Sequence, residues 1–416
     1  MSTPLRRNRN YTLLWVGQAF SEVGFSTTMI AFPLLVLAIT GSPAASGLVL
    51  GADAAAQLLA GLPAGALVDR WDRKKIMLWC EAVQGLTVGS LALALWWGSA
   101  TLAHMILVAV VIGVCRALFE PAEDACLARL VPEEQLATAI SLNAARSSIG
   151  QMAGTALGGV LFAIGRIVPF VVDFITHLVA LLTLAFLRVP ARQVRPEPIG
   201  NIGREMRAGL RWVWSHRHVR VTALCAVSLN LFFNAFYIVI IVLADARGVP
   251  AGEIGLMAAM LGFGGVLGAL VAPTLHRVLH PWVSIMAVFW VVTLLTPLTI
   301  MAANGYVLGA LFAGMAFLAP TANTTINTHQ LLLTPDELRG RLSGVMNVFV
   351  GGAAAAGPAL GGLLVEFVSG TAAVLWCTAG MAAVSLLVTF SPVLRKYPGK
   401  DVHDGRERPV PGAAQR

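Results

Sequence analysis

The chain has 416 residues, of which 57% are hydrophobic and only 12% are charged. Soluble globular proteins carry about 25% charged residues, so this chain has too little charge to cover a water-exposed surface of its size. The composition excludes a soluble enzyme, a disordered chain and a nucleic-acid-binding domain, and it predicts an all-α integral membrane protein with many spans.

Twelve segments are long and apolar enough to cross a bilayer, which takes about 20 predominantly apolar residues. Barrel strands would be about half as long and alternate in polarity, so each segment is predicted to be a helix. In chain order the predicted spans are Tyr11–Leu37, Ala44–Val68, Lys75–Trp97, Leu102–Glu120, Ala137–Ile164, Ile167–Arg188, Arg220–Ala244, Gly252–Leu275, Trp282–Ala302, Gly305–Leu332, Gly340–Phe367 and Thr371–Ser391.

Lysine and arginine are distributed unequally among the loops that join these spans. Of the 29 Lys and Arg residues, 25 lie in the termini and one alternate set of loops, whereas only Arg166 and Arg247 lie in the other set. Positive charge concentrates on the cytoplasmic side of a membrane protein. The chain is therefore predicted to lie in the plasma membrane with both termini in the cytoplasm, which also requires an even number of spans.

The two halves of the chain repeat each other at an offset of 203 residues, as in Gly65-Ala-Leu-Val68 and Gly268-Ala-Leu-Val271. Six spans separate the copies, so both halves have the same orientation and are predicted to be related by an axis along the membrane normal. The predicted organisation is a six-helix bundle over 1–188, a cytoplasmic linker with an interfacial helix over 189–219, a second six-helix bundle over 220–394 and a disordered tail over 395–416.

The loop after the second span carries the most specific motif, Gly65-Ala-Leu-Val-Asp-Arg-Trp-Asp-Arg-Lys-Lys75. It resembles the major facilitator superfamily pattern Gly-x-Leu-x-Asp-Arg-x-Gly-Arg-Lys, with Asp72 in place of the second glycine. That variant, together with the run Leu-Val-Pro-Glu-Glu-Gln-Leu from Leu130, is similar to the macrolide and enterobactin exporter branch. The resemblance covers nearly the whole chain and implies two bundles with a substrate site between them.

The resemblance also implies partners and an energy source. It implies a small-molecule substrate and a lipid bilayer, no nucleic acid, a monomer, and a proton gradient in place of a cofactor. The sequence contains no Walker, HExxH or GxSxG motif, so ATP-driven transport by this chain, metal chemistry and a membrane enzyme are unsupported.

In the resembled family the motif acid meets the start of span eleven, and the motif arginine pairs with an acid at the end of span four. The resemblance therefore assigns Asp69 and Arg73, with Gly65, to a gate on the cytoplasmic side. The acids available to Arg73 are Glu120, Glu123 and Asp124. The alternative is that the basic loop only anchors the chain, but this does not explain Asp69.

Small residues on span five, Gly150, Gly154, Gly158 and Gly159, have a spacing that lets helices approach closely. Packing alone explains them, but they also resemble the antiporter motif Gly-x-x-x-Gly-Pro-x-x-Gly-Gly, with Thr155 in place of proline. The equivalent positions in the second half are Gly357, Pro358, Gly361 and Gly362. The resemblance implies export by exchange with protons, and the alternative is a proton-coupled uptake symporter of the same fold.

Ionisable residues inside predicted spans are costly and are therefore candidates for function. Glu22, near the middle of span one, is either a proton carrier with Arg116 as its fixed positive partner, or part of a structural ion pair with an arginine of span four or five. Asp53 is either a second proton site or a substrate contact. Asp173 shares a helix face with His177; we predict a structural role for it, and the alternative is a functional one.

Polar side chains recur at helical spacing on spans seven and ten. They are Asn230, Asn234 and Tyr237, interleaved with Phe233, and Asn323 and Asn327. Hydrogen bonds between helices are one explanation of this pattern. The other is a substrate cavity with aromatic walls that suits a bulky amphipathic organic molecule.

Overall fold

The computed structural model describes residues 5–189, 202–333 and 336–392. These residues form fourteen α-helices and no strand. The helices are α1 (Arg9–Thr40), α2 (Pro43–Arg70), α3 (Arg73–Trp96), α4 (Leu102–Leu130), α5 (Glu133–Ile164), α6 (Val168–Phe186), α7 (Ile202–Ser215), α8 (Arg217–Ala246), α9 (Ala251–Val278), α10 (Pro281–Leu298), α11 (Gly305–Phe317), α12 (Ala319–Leu333), α13 (Asp336–Phe367) and α14 (Gly370–Phe390).

Within the described residues, 12 segments are long and apolar enough to cross a membrane, which confirms the predicted number of spans. Two predicted spans differ in detail. The fourth continues through Pro121 to Leu130 instead of ending at Glu120. The tenth is divided into α11 and α12, because Pro320 at the second position of α12 has no N–H to continue the hydrogen-bond ladder.

The helix α7 falls inside the predicted linker, while residues 190–201 and the predicted tail 395–416 lie outside the described residues. The interfacial location of α7 stays a prediction. The bundle boundaries at 188 and 220 likewise stay predictions.

Two ends of the molecule are distinguished by their loops. At the end we call the basic end, α2 finishes at Arg70 and α3 begins at Arg73. At the opposite end, which we call the distal end, Gly41 closes α1 with a φ of 66°. The side chain of Ser42 accepts a hydrogen bond from Ala45 N and starts α2. This left-handed backbone conformation favours glycine, and it lets the chain turn from α1 into α2 within two residues.

The helices form an N-terminal half, α1–α6, and a C-terminal half, α8–α14, which meet where α2 packs on α13 and α5 packs on α9. The N-terminal half has two separate apolar clusters, one around Met77 and Cys126 toward the basic end and one around Phe32 and Phe170 toward the distal end. Charged side chains occupy the layer between these clusters, and this layer contains the candidate site.

Candidate functional site

A polar chamber of about 50 Å³ lies between the two apolar clusters of the N-terminal half. Five helices contribute to it: α1, α3, α4, α5 and α6. Its charged and titratable lining residues are Glu22, Glu81, Arg116, Glu120, Glu123, Arg146 and His177. Burying charges at membrane depth is costly unless they are paired, so the pairings within the chamber determine what it can do.

The pair predicted from the sequence, Glu22 and Arg116, is brought together in this chamber. Arg116 Nη1 lies 3.8 Å from Glu22 Oε2, and Nη2 donates to Glu120 Oε1 at 3.1 Å. The guanidinium also lies over the ring of Phe25, with Cζ 3.8 Å from the ring centroid. Arg116 therefore forms ion pairs with two carboxylates, and the one with Glu22 is the longer.

Glu123 does not face the gate arginine, contrary to one of the pairings offered for Arg73. Because α4 continues beyond Glu120, Glu123 lies inside the bundle and is 8% exposed. Arg146 Nη1 donates to Glu123 Oε1 at 2.7 Å and Nη2 donates to Oε2 at 3.4 Å. Of the three acids proposed for Arg73, Glu123 and Glu120 thus bind other arginines.

Replacing Arg146 with methionine is expected to destabilise the protein by about 3–5 kcal/mol, because it leaves the buried Glu123 carboxylate unpaired. Adding Glu123→Gln to Arg146→Met removes the orphaned charge and is expected to restore most of the loss. Thermal unfolding of the detergent-purified protein measures both effects. Arg166→Met, at an exposed loop position, is the matched control, and a single variant as stable as that control would contradict the prediction.

A second buried cluster joins α3 to α6. His177 Nδ1 lies 2.6 Å from Glu81 Oε2, and His177 Nε2 lies 3.4 Å from Asp173 Oδ1. Thr28 Oγ1 donates to Asp173 Oδ2 at 2.6 Å. Glu81 was missed in the sequence analysis, although it lies well inside the third predicted span and the rule that identified Glu22 applies to it equally.

Asp53 lies on α2, where the backbone of that helix packs closely on Gly113 of α4. Its side chain is buried, and Oδ1 has no hydrogen-bond partner among the described residues. The structure does not bring Asp53 into the polar chamber, and both predicted roles of this residue stay predictions.

The gate residues lie at the basic end. Arg73 Nη1 donates to Ala125 O at 2.9 Å, and Nη2 lies 3.6 Å from Asp69 Oδ1. The Asp69 side chain is 67% exposed. The predicted contact of Asp69 with the start of span eleven stays a prediction, because the side chains there lie outside the described part of the chain, and so does a pairing of Arg73 with Asp124.

The main cavity, of about 600 Å³, lies between the halves toward the basic end and is lined by α2, α4 and α13. Most of its lining is small or apolar, and Gln57, Glu120 and Asn347 supply polar groups. Gly65 of the gate motif also lines it. Glu120 lines both this cavity and the polar chamber, so the two spaces share one carboxylate.

None of the side chains predicted to form the substrate cavity lines the main cavity. The amides of Asn230 and Asn234 donate to Ala226 O and Asn230 O of their own helix. Phe233 and Tyr237 pack on Phe312 in the C-terminal apolar core. Asn323 is exposed on α12, and the side chain of Asn327 lies outside the described part. Helical spacing identified a shared face but not the neighbour that covers it, and an amide can be satisfied by its own backbone.

The span-five glycines pack in two directions. A Cβ at Gly150 would lie 2.8 Å from Glu22 Cγ, and Cβ atoms at Gly154 and Gly158 would overlap the backbone of α1. Gly159 instead faces the other half, where a Cβ would lie 2.8 Å from Gly255 Cα of α9. The close approach of α1 and α5 therefore also sets the position of Glu22.

The equivalent segment of α13 divides in the same way. Gly357 and Gly361 pack on α8 within their own half, whereas Pro358 and Gly362 meet α2 of the other half. Close backbone contact of this kind requires small residues, because a side chain would hold the helices apart. In both helices, then, one set of these residues packs against a neighbouring helix of the same half. The remaining ones, Gly159, Pro358 and Gly362, contact the other half near the distal end.

A polar contact strengthens this distal junction. Glu366 Oε2, near the end of α13, accepts hydrogen bonds from Ser42 Oγ at 3.0 Å and from Ala44 N at 3.2 Å. A carboxylate is favoured at a helix N-terminus, here that of α2. Toward the basic end, by contrast, a Cβ placed on Gly61 or Gly344 would meet no described atom within 4 Å. The halves are therefore in close contact at the distal end, whereas the main cavity separates α2 from α13 at Gly61 and Gly344.

Comparisons with known proteins extend these observations. The Major Facilitator Superfamily model matches residues 14–357. The multidrug efflux pump Tap of Mycolicibacterium fortuitum is 27% identical over 396 residues, which are 90% of this chain and 93% of that protein. The enterobactin exporter EntS of Escherichia coli O1:K1 / APEC is 25% identical over 371 residues, 86% of each chain.

Solved structures show the same fold. The nucleoside transporter NupG superposes with a TM-score of 0.74 at 14% identity, over 93% of this chain and 99% of that chain. A bacterial homologue of the human lysosomal transporter Spinster, in an inward-facing and unoccupied conformation, gives a TM-score of 0.67 at 16% identity, over 95% and 97% of the two chains.

Proposed function

Because the chain belongs to the major facilitator superfamily, a family of transporters, we propose that it exports a bulky amphipathic organic molecule in exchange for protons. The observation that carries this proposal is the position of Glu120. Its carboxylate lines the main cavity between the halves and also pairs with Arg116, the partner of Glu22. A molecule in the main cavity that binds Glu120 weakens the ion pair of Glu120 with Arg116 and so alters the ion pair of Arg116 with Glu22. Substrate binding is thereby coupled to proton binding.

The orientation follows from charge. With the basic end in the cytoplasm, as the loop arginines and lysines predict, the structure is an inward-open state. Turning outward then requires the hydrogen bonds of Glu366 with Ser42 and the α2 N-terminus to break. Closure of the basic end brings Asp69 toward the start of α13. A monomer is sufficient, because both walls of the main cavity come from one chain, and the proton gradient supplies the energy without a cofactor.

The main cavity supports the substrate class. Its volume of about 600 Å³ is within the range of cavities that hold drug-sized ligands, about 300–1,000 Å³. The lining is mainly apolar with a few hydrogen-bonding side chains, which suits an amphipathic molecule. The relatives named for multidrug, macrolide and enterobactin efflux support both this class and the outward direction. Proton-coupled uptake by the same fold is the alternative.

An accumulation assay tests the proposal. Cells that express the protein are loaded with a panel of dyes, antibiotics and siderophores, with and without a protonophore. We expect lower accumulation of at least one bulky amphipathic compound than in vector controls, and we expect the protonophore to remove the difference. Higher accumulation would identify uptake instead, and a difference that survives the protonophore would contradict proton exchange.

Asp69→Asn is expected to slow turnover severalfold while leaving substrate affinity unchanged, because the side chain lies at the gate and outside the lining of the main cavity. Transport rates in vesicles and equilibrium binding to purified protein measure the two quantities. Asp72→Asn is the matched control, since Asp72 caps α3 and asparagine caps a helix equally well. Unchanged transport with Asp69→Asn would remove Asp69 from the gate.

A further inference from the structure

The cluster of Glu81, His177 and Asp173 is buried more deeply than any other group of titratable side chains in the polar layer. The three side chains are 1%, 3% and 1% exposed. Each imidazole nitrogen faces a carboxylate, at 2.6 Å for Glu81 and 3.4 Å for Asp173. Among the described residues, the other carboxylate oxygens, Glu81 Oε1 and Asp173 Oδ2, accept from the neutral donors Gln18, Ser21 and Thr28.

Counting charges shows that this cluster must bind protons. With a neutral imidazole and both carboxylates ionised the cluster carries two negative charges, and one imidazole nitrogen directs its lone pair at a carboxylate. One proton makes the imidazolium, which donates from Nδ1 to Glu81, places its positive charge beside Asp173 and leaves one net negative charge. A second proton makes the cluster neutral. Buried uncompensated charge is strongly unfavourable, so the neutral two-proton form is favoured unless a nearby positive charge compensates the one-proton form.

Other charged groups around the polar chamber decide which form is favoured. Arg146 is committed to Glu123 at 2.7 Å, so it is not available to compensate the cluster. Arg116 is shared by Glu22 and Glu120, at 3.8 Å and 3.1 Å. On α4, the buried Cys115 adds a titratable thiol to this layer.

Arg116 lines the same polar chamber as Glu81 and His177. When Glu22 binds a proton, Arg116 loses one of its two counter-charges, and its positive charge across the chamber then favours the negative form of the cluster. When Glu22 is ionised, that compensation is lost and the cluster is favoured in its neutral, two-proton form. Occupancy at the two places is therefore opposed, and a proton that moves between them leaves the net charge of the layer unchanged.

We propose that Glu81, His177 and Asp173 form a second proton-binding site that exchanges a proton with Glu22 through the polar chamber. In this exchange a proton leaves the Glu22 carboxyl and binds to a cluster carboxylate, with His177 remaining an imidazolium. The chamber volume of about 50 Å³ is enough for a few relaying waters, since one water needs about 10–15 Å³. The link of this site to transport rests on the proposed function.

Difference infrared spectroscopy of the protein reconstituted in lipid tests the site directly. The spectra follow the band of protonated carboxyl groups as pH is lowered, without any substrate. Glu81→Gln and Asp173→Asn, tested separately because either one could fail to insert, are each expected to remove the contribution of the second proton. Thr28→Val is the control, because it removes a hydrogen bond to Asp173 but no titrating group and should keep the band amplitude.

The exchange with Glu22 makes a second, signed expectation. Glu22→Gln fixes position 22 in a neutral form and leaves Glu120 as the one carboxylate paired with Arg116, so more of the positive charge of Arg116 acts on the cluster. The midpoint pH of the cluster band is expected to fall, because a positive charge nearby favours the ionised carboxylate. A midpoint that does not move, or a band that survives both Glu81→Gln and Asp173→Asn, would overturn the proposal.

A transport measurement distinguishes this proposal from the function on which it rests. Glu81→Gln is expected to flatten the pH profile of export while the affinity for the exported dye stays within twofold of wild type. If a protonophore does not change wild-type export, the proposal of proton-driven export is wrong, whereas the second proton site is still supported by the infrared result. If export is protonophore-sensitive but its pH profile is unchanged in Glu81→Gln, the second site is overturned as part of transport.

Discussion

Glu22→Gln is expected to abolish proton-coupled efflux while leaving the protein folded and inserted. Glutamine cannot exchange a proton, but it matches the size of glutamate and keeps the packing of the side chain on Gly150. Arg116 keeps its partner Glu120 at 3.1 Å, so no buried charge is orphaned. Substrate-driven pH changes in everted vesicles measure the coupling, and we expect a loss to background.

The matched control for this substitution is Glu134→Gln, an exposed acid near the start of α5 that lines neither the main cavity nor the polar chamber. It should leave the pH changes intact. If Glu22→Gln vesicles acidify or alkalinise on substrate addition as wild type does, Glu22 is a structural partner of Arg116 and not the proton carrier.

Gly159→Val is expected to slow transport by about 5–150-fold, because the new side chain opposes closure of the distal end. The new Cβ would overlap Ala251 O and lie 2.8 Å from Gly255 Cα, across the junction of the halves. Overpacking of this kind costs about 1–3 kcal/mol. Opening the distal end relieves that cost, so the equilibrium should shift toward the state that is open at the distal end by about 5–150-fold.

Transport and cavity accessibility measure this effect together. A Gly61→Cys reporter lines the main cavity, and the five native cysteines are all buried, so labelling reports opening at the basic end. We expect Gly159→Val to slow labelling, whereas the control Gly265→Val should not, because a Cβ there meets no described atom within 4 Å. Wild-type transport and labelling in Gly159→Val would show that this junction does not govern the cycle.

Several features of the fold are local properties of the sequence. Each span is a run of apolar residues, and the repeat of Gly65–Val68 at Gly268–Val271 preserves the order of the spans. The twelve spans and the two halves can therefore be predicted without knowledge of contacts. Glu22 and Arg116 could be predicted as site residues because charged side chains inside a membrane span are costly and are therefore functional candidates.

The errors have a common physical origin. From hydropathy, the fourth span was predicted to end at Glu120, because Glu123 is charged. Glu123 is nevertheless buried, since Arg146 on another helix compensates its charge. The spacing of Asn230 and Asn234 marked one helix face, but their amides turn to their own backbone. A sequence pattern identifies polar groups that are costly to bury in the membrane, but it does not identify the partner that compensates each of them.

The sequence by itself determined the membrane environment, the number of spans and the direct repeat, because these depend on the transfer of each segment from water to lipid. Only the tertiary structure decided which charges meet: that Glu120 is shared by the main cavity and the polar chamber, that His177 lies between Glu81 and Asp173, and which glycines join the halves. Ion pairs and close backbone contacts form between helices far apart in the chain, so packing alone determines them.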